Sequence, residues 1–390
     1  MPEIGSSLFM KYRMLGRTGV RVSEVGLGGH QEGVETHRGV ATSARFFVSA
    51  QERARVVGRA IDAGVTYFDT TYGCETASLG ESLRLLGRRE GLFVSGMRVD
   101  FFKNWLAEKG DIRVYTRREV EACLRAFGRD TIDQFLLGAM CMGDPLSCPR
   151  SILDDAIGEL FKLRDEGKFR FLGFSCHEPD YAARMLETFP VFDTVMTPYN
   201  FVNRQAEGRL TEVLRRSGTA WVAMKPLVWH VYGLPVTVLK NLGRVPGRLE
   251  IDRNVPIARL ALQFILGNPL VATCVPAVNS IDAVEENTAA VGAGPLSDAQ
   301  NRVLQEYARA MEADDFVPLA IGGLLENNMR VRSNAIALIK RKLGYAVEAI
   351  DWEADDAPEQ SRRAAQALLG KIRKDPRWAA YLPEQDGRAC

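Results

Sequence analysis

The chain alternates between two kinds of segment. Short, nearly all-apolar runs occupy residues 22–29, 67–70, 92–97, 134–140, 169–175, 194–200, 220–226 and 271–276. Between them, apolar positions recur at helical spacing over 51–63, 117–127, 151–166 and 256–266. Strands that are apolar on both faces and separated by amphipathic helices predict a parallel sheet covered on both sides. Eight such units within about 300 residues predict an α/β fold of the closed (β/α)₈ TIM-barrel type rather than an open doubly wound sheet. Val25-Gly-Leu-Gly-Gly-His30 is glycine-rich but lacks the dinucleotide-turn spacing and a following acidic strand end. Its glycines therefore read as close-packing positions at a strand end.

Three regions exceed a minimal barrel: a first loop over 30–50, a second over 98–115 with Phe101, Phe102 and Trp105, and a tail from Asp314. Loops that follow barrel strands lie on the catalytic face, so the first two are expected to roof a pocket, with Trp229 and the second loop's aromatics as candidate lining. The tail is helical in pattern over 334–343 and 358–372, with an acidic hinge at 351–356. The expected organisation is a barrel over 1–313 and a helical extension over 314–390. Three roles are open to the extension: covering the rim, forming a homo-oligomer contact, or docking on the outer helices.

Composition narrows the partners. Lysine plus arginine (50) nearly cancel aspartate plus glutamate (49), so no global field favours nucleic acid or an anionic membrane. The longest apolar runs are strand-sized, which argues against a membrane span, and residues 1–13 lack a leader-type apolar core. Seven cysteines without framework spacing suit a reducing cytoplasm. Cys74, Cys141, Cys176 and His177 fall near strand ends, as do His30 and His230 if their loops fold inward, but no pair has zinc-type spacing. No metal is expected.

The chemistry concentrates in Tyr67-Phe-Asp-Thr-Thr-Tyr-Gly73, which reads as a strand end delivering an acid, Asp69, and a phenol, Tyr72, to a rim. Further runs accompany it: Tyr12-Arg-Met-Leu-Gly-Arg-Thr-Gly-Val-Arg-Val-Ser-Glu-Val-Gly-Leu-Gly28, Gly167-Lys-Phe-Arg-Phe-Leu-Gly-Phe-Ser175, Pro198-Tyr-Asn200, Ala223-Met-Lys-Pro-Leu227 and Val275-Pro-Ala-Val-Asn-Ser-Ile-Asp-Ala-Val-Glu-Glu-Asn287. In this order, over residues 11–311, the chain resembles the aldo-keto reductases. The resemblance implies hydride transfer between a nicotinamide cofactor, NADP or NAD, and a carbonyl, with a tyrosine as proton donor beside a lysine–aspartate pair and a histidine.

Asp69 matches the family aspartate. Tyr72 is the candidate donor, although it follows Asp69 by three residues where the family pattern has five. The lysine position is Met97, a slip of one residue would offer Arg98, and the histidine position is Gly138. A neighbouring cation favours phenolate by roughly 1–3 pKa units, so its loss forfeits about 1.4–4 kcal/mol. A buried Asp69 without a partner is costly, so it is either protonated or faces another cation, with Lys225 and Arg98 as the two candidates. Lys225 is also open to reading as a base or Schiff-base nucleophile.

On the cofactor side, the resemblance implies Ser175 at the carboxamide and Met224 where an aromatic normally stacks. It further implies Leu227 at the phosphate loop, and Glu286 and Asn287 at adenine. The leading expectation is an oxidoreductase acting on the carbonyl or alcohol of a small substrate, aromatic or apolar in character. Its altered tetrad would use Tyr72 as donor and Asp69 as support. Two alternatives stand beside it: a lyase, dehydratase or isomerase on the same barrel that has lost its nicotinamide, and a non-catalytic binding relative.

Overall fold

The computed structural model describes residues 10–29, 32–34, 46–88, 90–141, 143–228, 236, 256–312, 317–326, 329–348, 350 and 356–382. A hairpin of β1 (Tyr12–Met14) and β2 (Arg21–Ser23) precedes β3 (Leu27–Gly28), and a short parallel pair follows, β4 (Glu32–Val34) with β5 (Phe46–Val48). Next come β6 (Tyr67–Thr70), β7 (Phe93–Arg98), β8 (Ile132–Leu137) and β9 (Phe169–Ser175). β10 (Thr194–Pro198), β11 (Ala220–Met224) and β12 (Val271–Val275) complete the set.

β3 and β6 to β12 form one eight-stranded parallel sheet in chain order. Parallel bridges Val25–Cys274 and Gly28–Ala277 join its two ends, which closes the (β/α)₈ barrel. Gly28 allows this seam, because a Cβ there would stand 2.8 Å from the Val275 carbonyl oxygen. Side chains alternate inward and outward along each strand. Tyr67, Phe93, Met97, Leu136, Met196, Val222 and Met224 pack with Leu15 and Val22 of the hairpin in one apolar cluster.

Two sequence expectations change. The first strand is not continuous over 22–29: the Ser23 backbone N–H donates to Thr66 Oγ1 and its hydroxyl to the Val25 carbonyl, which turns the chain from hairpin into barrel. The second loop is not irregular either. It contains a helix, Phe101–Glu108, and the next, Ile112–Phe127, starts early because the Asp111 carboxylate caps the Arg113 N–H. Phe101, Phe102 and Trp105 are buried and meet edge to face, so they pack this helix down instead of lining an open pocket. Trp229, His30, His230 and most of the first loop lie outside the described residues.

The chain divides into two compact units. One comprises Met1–Pro226 with Leu262–Pro295 and holds every barrel strand. The other comprises Leu227–Ala261 with Leu296–Cys390. Within the second, helices Met329–Leu343 and Ala357–Ile372 are tied by the buried Arg332 guanidinium, which donates to the Ser361 hydroxyl from two nitrogens at 2.9 and 3.0 Å. The expected boundary at 313/314 lies outside the described residues. Among those residues, no helix is long and apolar enough to cross a membrane.

Candidate active site

Asp69 projects inward from β6 and is only 4% exposed. Its Oδ1 has no hydrogen-bond partner, while the Ser95 side chain of β7 bonds to the carboxylate. Burial raises the Asp69 pKa to about 7 against the opposing pull of Ser95 and of the Lys225 ammonium. Below Asp69 a polar chain runs into the barrel: Gln134 Nε2 donates to Ser95 Oγ at 3.2 Å and to the Tyr67 hydroxyl at 3.3 Å. Burial, with the Asp69 charge adding to it, pushes the Tyr67 phenol far above its ordinary range, so it stays protonated.

The strand register separates Met97 from Arg98. Met97 faces the interior cluster and is 4% exposed. Arg98, one residue on, faces the other way, and its Nε donates to Glu119 of the Ile112–Phe127 helix at 2.6 Å. Gly138 has a steric explanation of its own. A Cβ there would lie 2.5 Å from the Arg98 carbonyl oxygen and 2.7 Å from Val99 Cα, both backbone atoms that cannot rotate away. The chain after β7 hugs the end of β8, with Gly138 N–H donating to Arg98 O and Phe101 N–H to Gly138 O. An imidazole cannot occupy this place without moving that backbone.

Positive charge reaches the mouth from another strand. Lys225 follows β11 in a left-handed conformation, φ +57°, which non-glycine residues adopt at a cost. Asn200 holds it there: its Nδ2 donates to the Lys225 carbonyl at 3.0 Å while its Oδ1 accepts from Val202 and Asn203 N–H. The Lys225 ammonium acts electrostatically on both Asp69 and His177. Burial and then that charge lower the His177 pKa to about 4, so its imidazole is neutral near pH 7. Tyr72 stands half-buried at the start of the Gly73–Leu86 helix, its backbone N–H bonded to Glu75 Oε2 at 3.4 Å.

The aldo/keto reductase family profile matches residues 36–229. The chain belongs to the aldo/keto reductase family. L-galactose dehydrogenase of Arabidopsis thaliana is 25% identical to this family member over 304 residues, 72% of the chain and 88% of the plant protein. A solved aldo-keto reductase from Bacillus halodurans, in its holo form, matches with a TM-score of 0.56 at 25% identity, covering 76% of this chain and 96% of the other. One from Klebsiella pneumoniae, in complex with NADPH, matches with a TM-score of 0.58 at 20% identity over 77% and 96%.

Around this reductase-type mouth, the expected cofactor residues differ in how far they are already engaged. Ser175 ends β9, and its Oγ accepts from Ala139 N–H at 2.8 Å and lies 3.5 Å from Met97 Sδ. Met224 is 7% exposed at the end of β11. Leu227 begins the second unit, its carbonyl accepting from Val236 N–H, and residues 229–235 and 237–255 lie outside the described residues. Glu286 and Asn287 lie on the helix Ile281–Thr288, which Ser280 caps. Asn287 is 3% exposed with Nδ2 unpartnered, a buried donor of the kind that a ligand satisfies. A buried cation, Arg53, reaches the loop before that helix and donates to Val278 O at 2.6 Å.

Sequence reading singled out Asp69, Tyr72, Arg98 and Lys225; of these, Lys225 acts on Asp69, whereas Arg98 is paired with Glu119. It did not pair His177 with Lys225, nor Cys141 with Cys176, because those encounters depend on how the strands are arranged around the barrel. Among the described residues no group of three or more metal-type ligands occurs. A cleft of about 700 Å³ lies at the opposite, N-terminal end of the barrel, lined by residues including Tyr12, Arg21, Thr219 and Val271. That end of such barrels contributes to stability and not to chemistry.

Proposed function

We propose that this protein is a nicotinamide-dependent carbonyl reductase whose basic partners have moved to other strands of the barrel. The observation that carries the reading is the Lys225 ammonium, which acts on Asp69 where the family lysine position is Met97. Tyr72 gives its proton to the substrate oxygen, and Lys225 stabilises the phenolate left behind, an effect worth about 1.4–4 kcal/mol. Asp69, once ionised, holds Lys225 in place. Neutral His177 offers an N–H to the same oxygen, taking over what Gly138 cannot supply; such a donor contributes ~3–4 kcal/mol when aimed at developing charge. Arg98 stays outside the reaction, committed to Glu119.

The orphaned Asn287 donor and the Arg53 cation at the same loop fit a dinucleotide with its adenosine end there. Ser175, Met224 and Glu286 would hold the rest of it. When bound, the cofactor supplies the hydride. Two solved relatives hold NADPH or NADP, so NADPH is the first to test and NADH the second. The substrate is a small aldehyde or ketone of apolar or aromatic character, and free thiols suit a reducing compartment such as the cytoplasm.

The test is titration with NADPH and with NADH, followed by tryptophan fluorescence. Turnover is then measured on a panel of aromatic aldehydes, and on L-galactose in the oxidising direction. Tyr72→Phe and Lys225→Met should each lower kcat by about 100–1,000-fold and leave cofactor affinity within a few-fold. Absence of binding at millimolar cofactor sinks the reading. Turnover that needs no nicotinamide would point instead to proton-shuttling chemistry on the same barrel.

A further inference from the structure

Two thiols that the reductase reading does not use meet on the catalytic face. Cys141 lies just after β8 and Cys176 just after β9, 35 positions apart in sequence. The chain between Ala139 and Cys141 is laid across the end of β9: Ala139 N–H donates to Ser175 Oγ and Met140 N–H to Ser175 O, both at 2.8 Å. That places the next residue, Cys141, against Cys176, and the Cys176 thiol and the His177 backbone N–H both hydrogen-bond the Cys141 sulfur. The Cys176 S–H also has the Glu178 carbonyl within reach at 3.2 Å, and Glu178 N–H donates to Cys176 Sγ at 3.4 Å. Cys176 is fully buried, whereas Cys141 is partly open to solvent.

We propose that Cys141 and Cys176 form a peroxide-sensitive dithiol, Cys141 being the thiol attacked and Cys176 the one that resolves it to a disulfide. The Cys141 thiolate attacks one oxygen of hydrogen peroxide or an organic hydroperoxide, forming an S–O bond as the O–O bond breaks. Hydroxide or alkoxide leaves, and the product is a sulfenic acid. The Cys176 thiol then attacks the Cys141 sulfur; its proton and the sulfenic hydroxyl leave as water, and the S–S bond forms. Both sulfurs are oxidised by one electron each, and the peroxide is reduced by two.

The local electrostatics suit these roles. Donation from Cys176 and from His177 N–H lowers the Cys141 pKa to about 6, against the opposing effects of burial and the Glu178 carboxylate. The same proximity, together with burial, raises the Cys176 thiol, which keeps it protonated as the resolving partner. Cys74, Cys123 and Cys274 are buried, and burial raises the thiols of Cys123 and Cys274. Among the described cysteines only Cys148 is comparably open.

The test treats the full chain with stoichiometric hydrogen peroxide at pH 6 and maps thiols by mass spectrometry. The expected product is a peptide pair joined through Cys141 and Cys176. With Cys176→Ser, dimedone should trap a sulfenic acid on Cys141. Because a lowered pKa enlarges the thiolate fraction more than it weakens the nucleophile, iodoacetamide should modify Cys141 about tenfold faster than an ordinary exposed cysteine at this pH. Should Cys176→Ser fail to fold, the linked peptide and the alkylation rate of the unmodified protein decide the matter alone. Absence of the Cys141–Cys176 linkage, or oxidation falling on Cys148 at an equal or greater rate, overturns the proposal.

Discussion

Replacing Asp69 with asparagine should change how stability depends on pH. In the folded chain the carboxyl has its pKa raised to about 7 from an ordinary value of 3.8, chiefly because burial removes water from its charged form. With the folded pKa above the unfolded one, the stabilisation is complete at low pH and is lost as the unfolded chain releases its proton first. The loss ends once the folded carboxyl also ionises, at about pH 7. Between pH 5 and pH 8 this group alone should lower stability by about 2–3 kcal/mol. His177 acts in the opposite direction. Its pKa falls from 6.5 to about 4 on folding, so its contribution grows as pH rises from about 4 to 6.5 and is level above that.

Because His177 is present in both proteins, its effect cancels in the comparison of Asp69→Asn with the unaltered chain. The asparagine variant should therefore gain relative to the parent as pH rises. The gap in thermal midpoint should be small at pH 5 and wider at pH 8 by roughly 5–10 °C, taking 2–4 °C per kcal/mol for a unit of this size. Differential scanning calorimetry at four or five pH values measures it. A gap that stays constant from pH 5 to pH 8 would falsify the claim that Asp69 takes up a proton on folding.

Two further outcomes follow from the geometry. Gly138→Ala should cost about 1–3 kcal/mol or more, since its new methyl group meets backbone on the neighbouring strand end, and Gly138→His should not raise activity. Chemical denaturation of the alanine variant with an unchanged midpoint would show that the backbone there yields freely. Asn287→Leu removes a buried donor that has no partner, so stability without cofactor should hold or rise by up to about 1–3 kcal/mol while dinucleotide affinity falls several-fold. Equal affinity in calorimetric titration would remove Asn287 from the adenosine site.

The barrel was legible in the sequence because strands that are buried on both faces leave apolar runs that few other folds produce. Boundaries such as 169–175 and 67–70 coincide with β9 and β6. The second loop was misread because Phe101, Phe102 and Trp105 form too short a helical signature to separate from a loop with aromatic anchors. Asp69, Tyr72 and Lys225 could be singled out because each sits at a strand end in a recognisable run. Met97 and Arg98 could not be told apart in role until the register showed which one points inward. Gly138 is the most instructive case. Its identity looks like a lost catalytic residue in one dimension, whereas in three dimensions another stretch of main chain fills the space.

The seam where β3 meets β12 carries a consequence for biosynthesis. The bridges at Val25–Cys274 and Gly28–Ala277 unite segments about 250 residues apart. At typical ribosomal speeds, the N-terminal partner must wait roughly 12–50 seconds for its mate to be synthesised. Throughout that interval the nascent sheet presents raw edges, which invite pairing with other chains. Chaperone dependence and slow, late cooperative folding are the natural corollaries, and slower elongation near residues 271–277 should prolong the exposure.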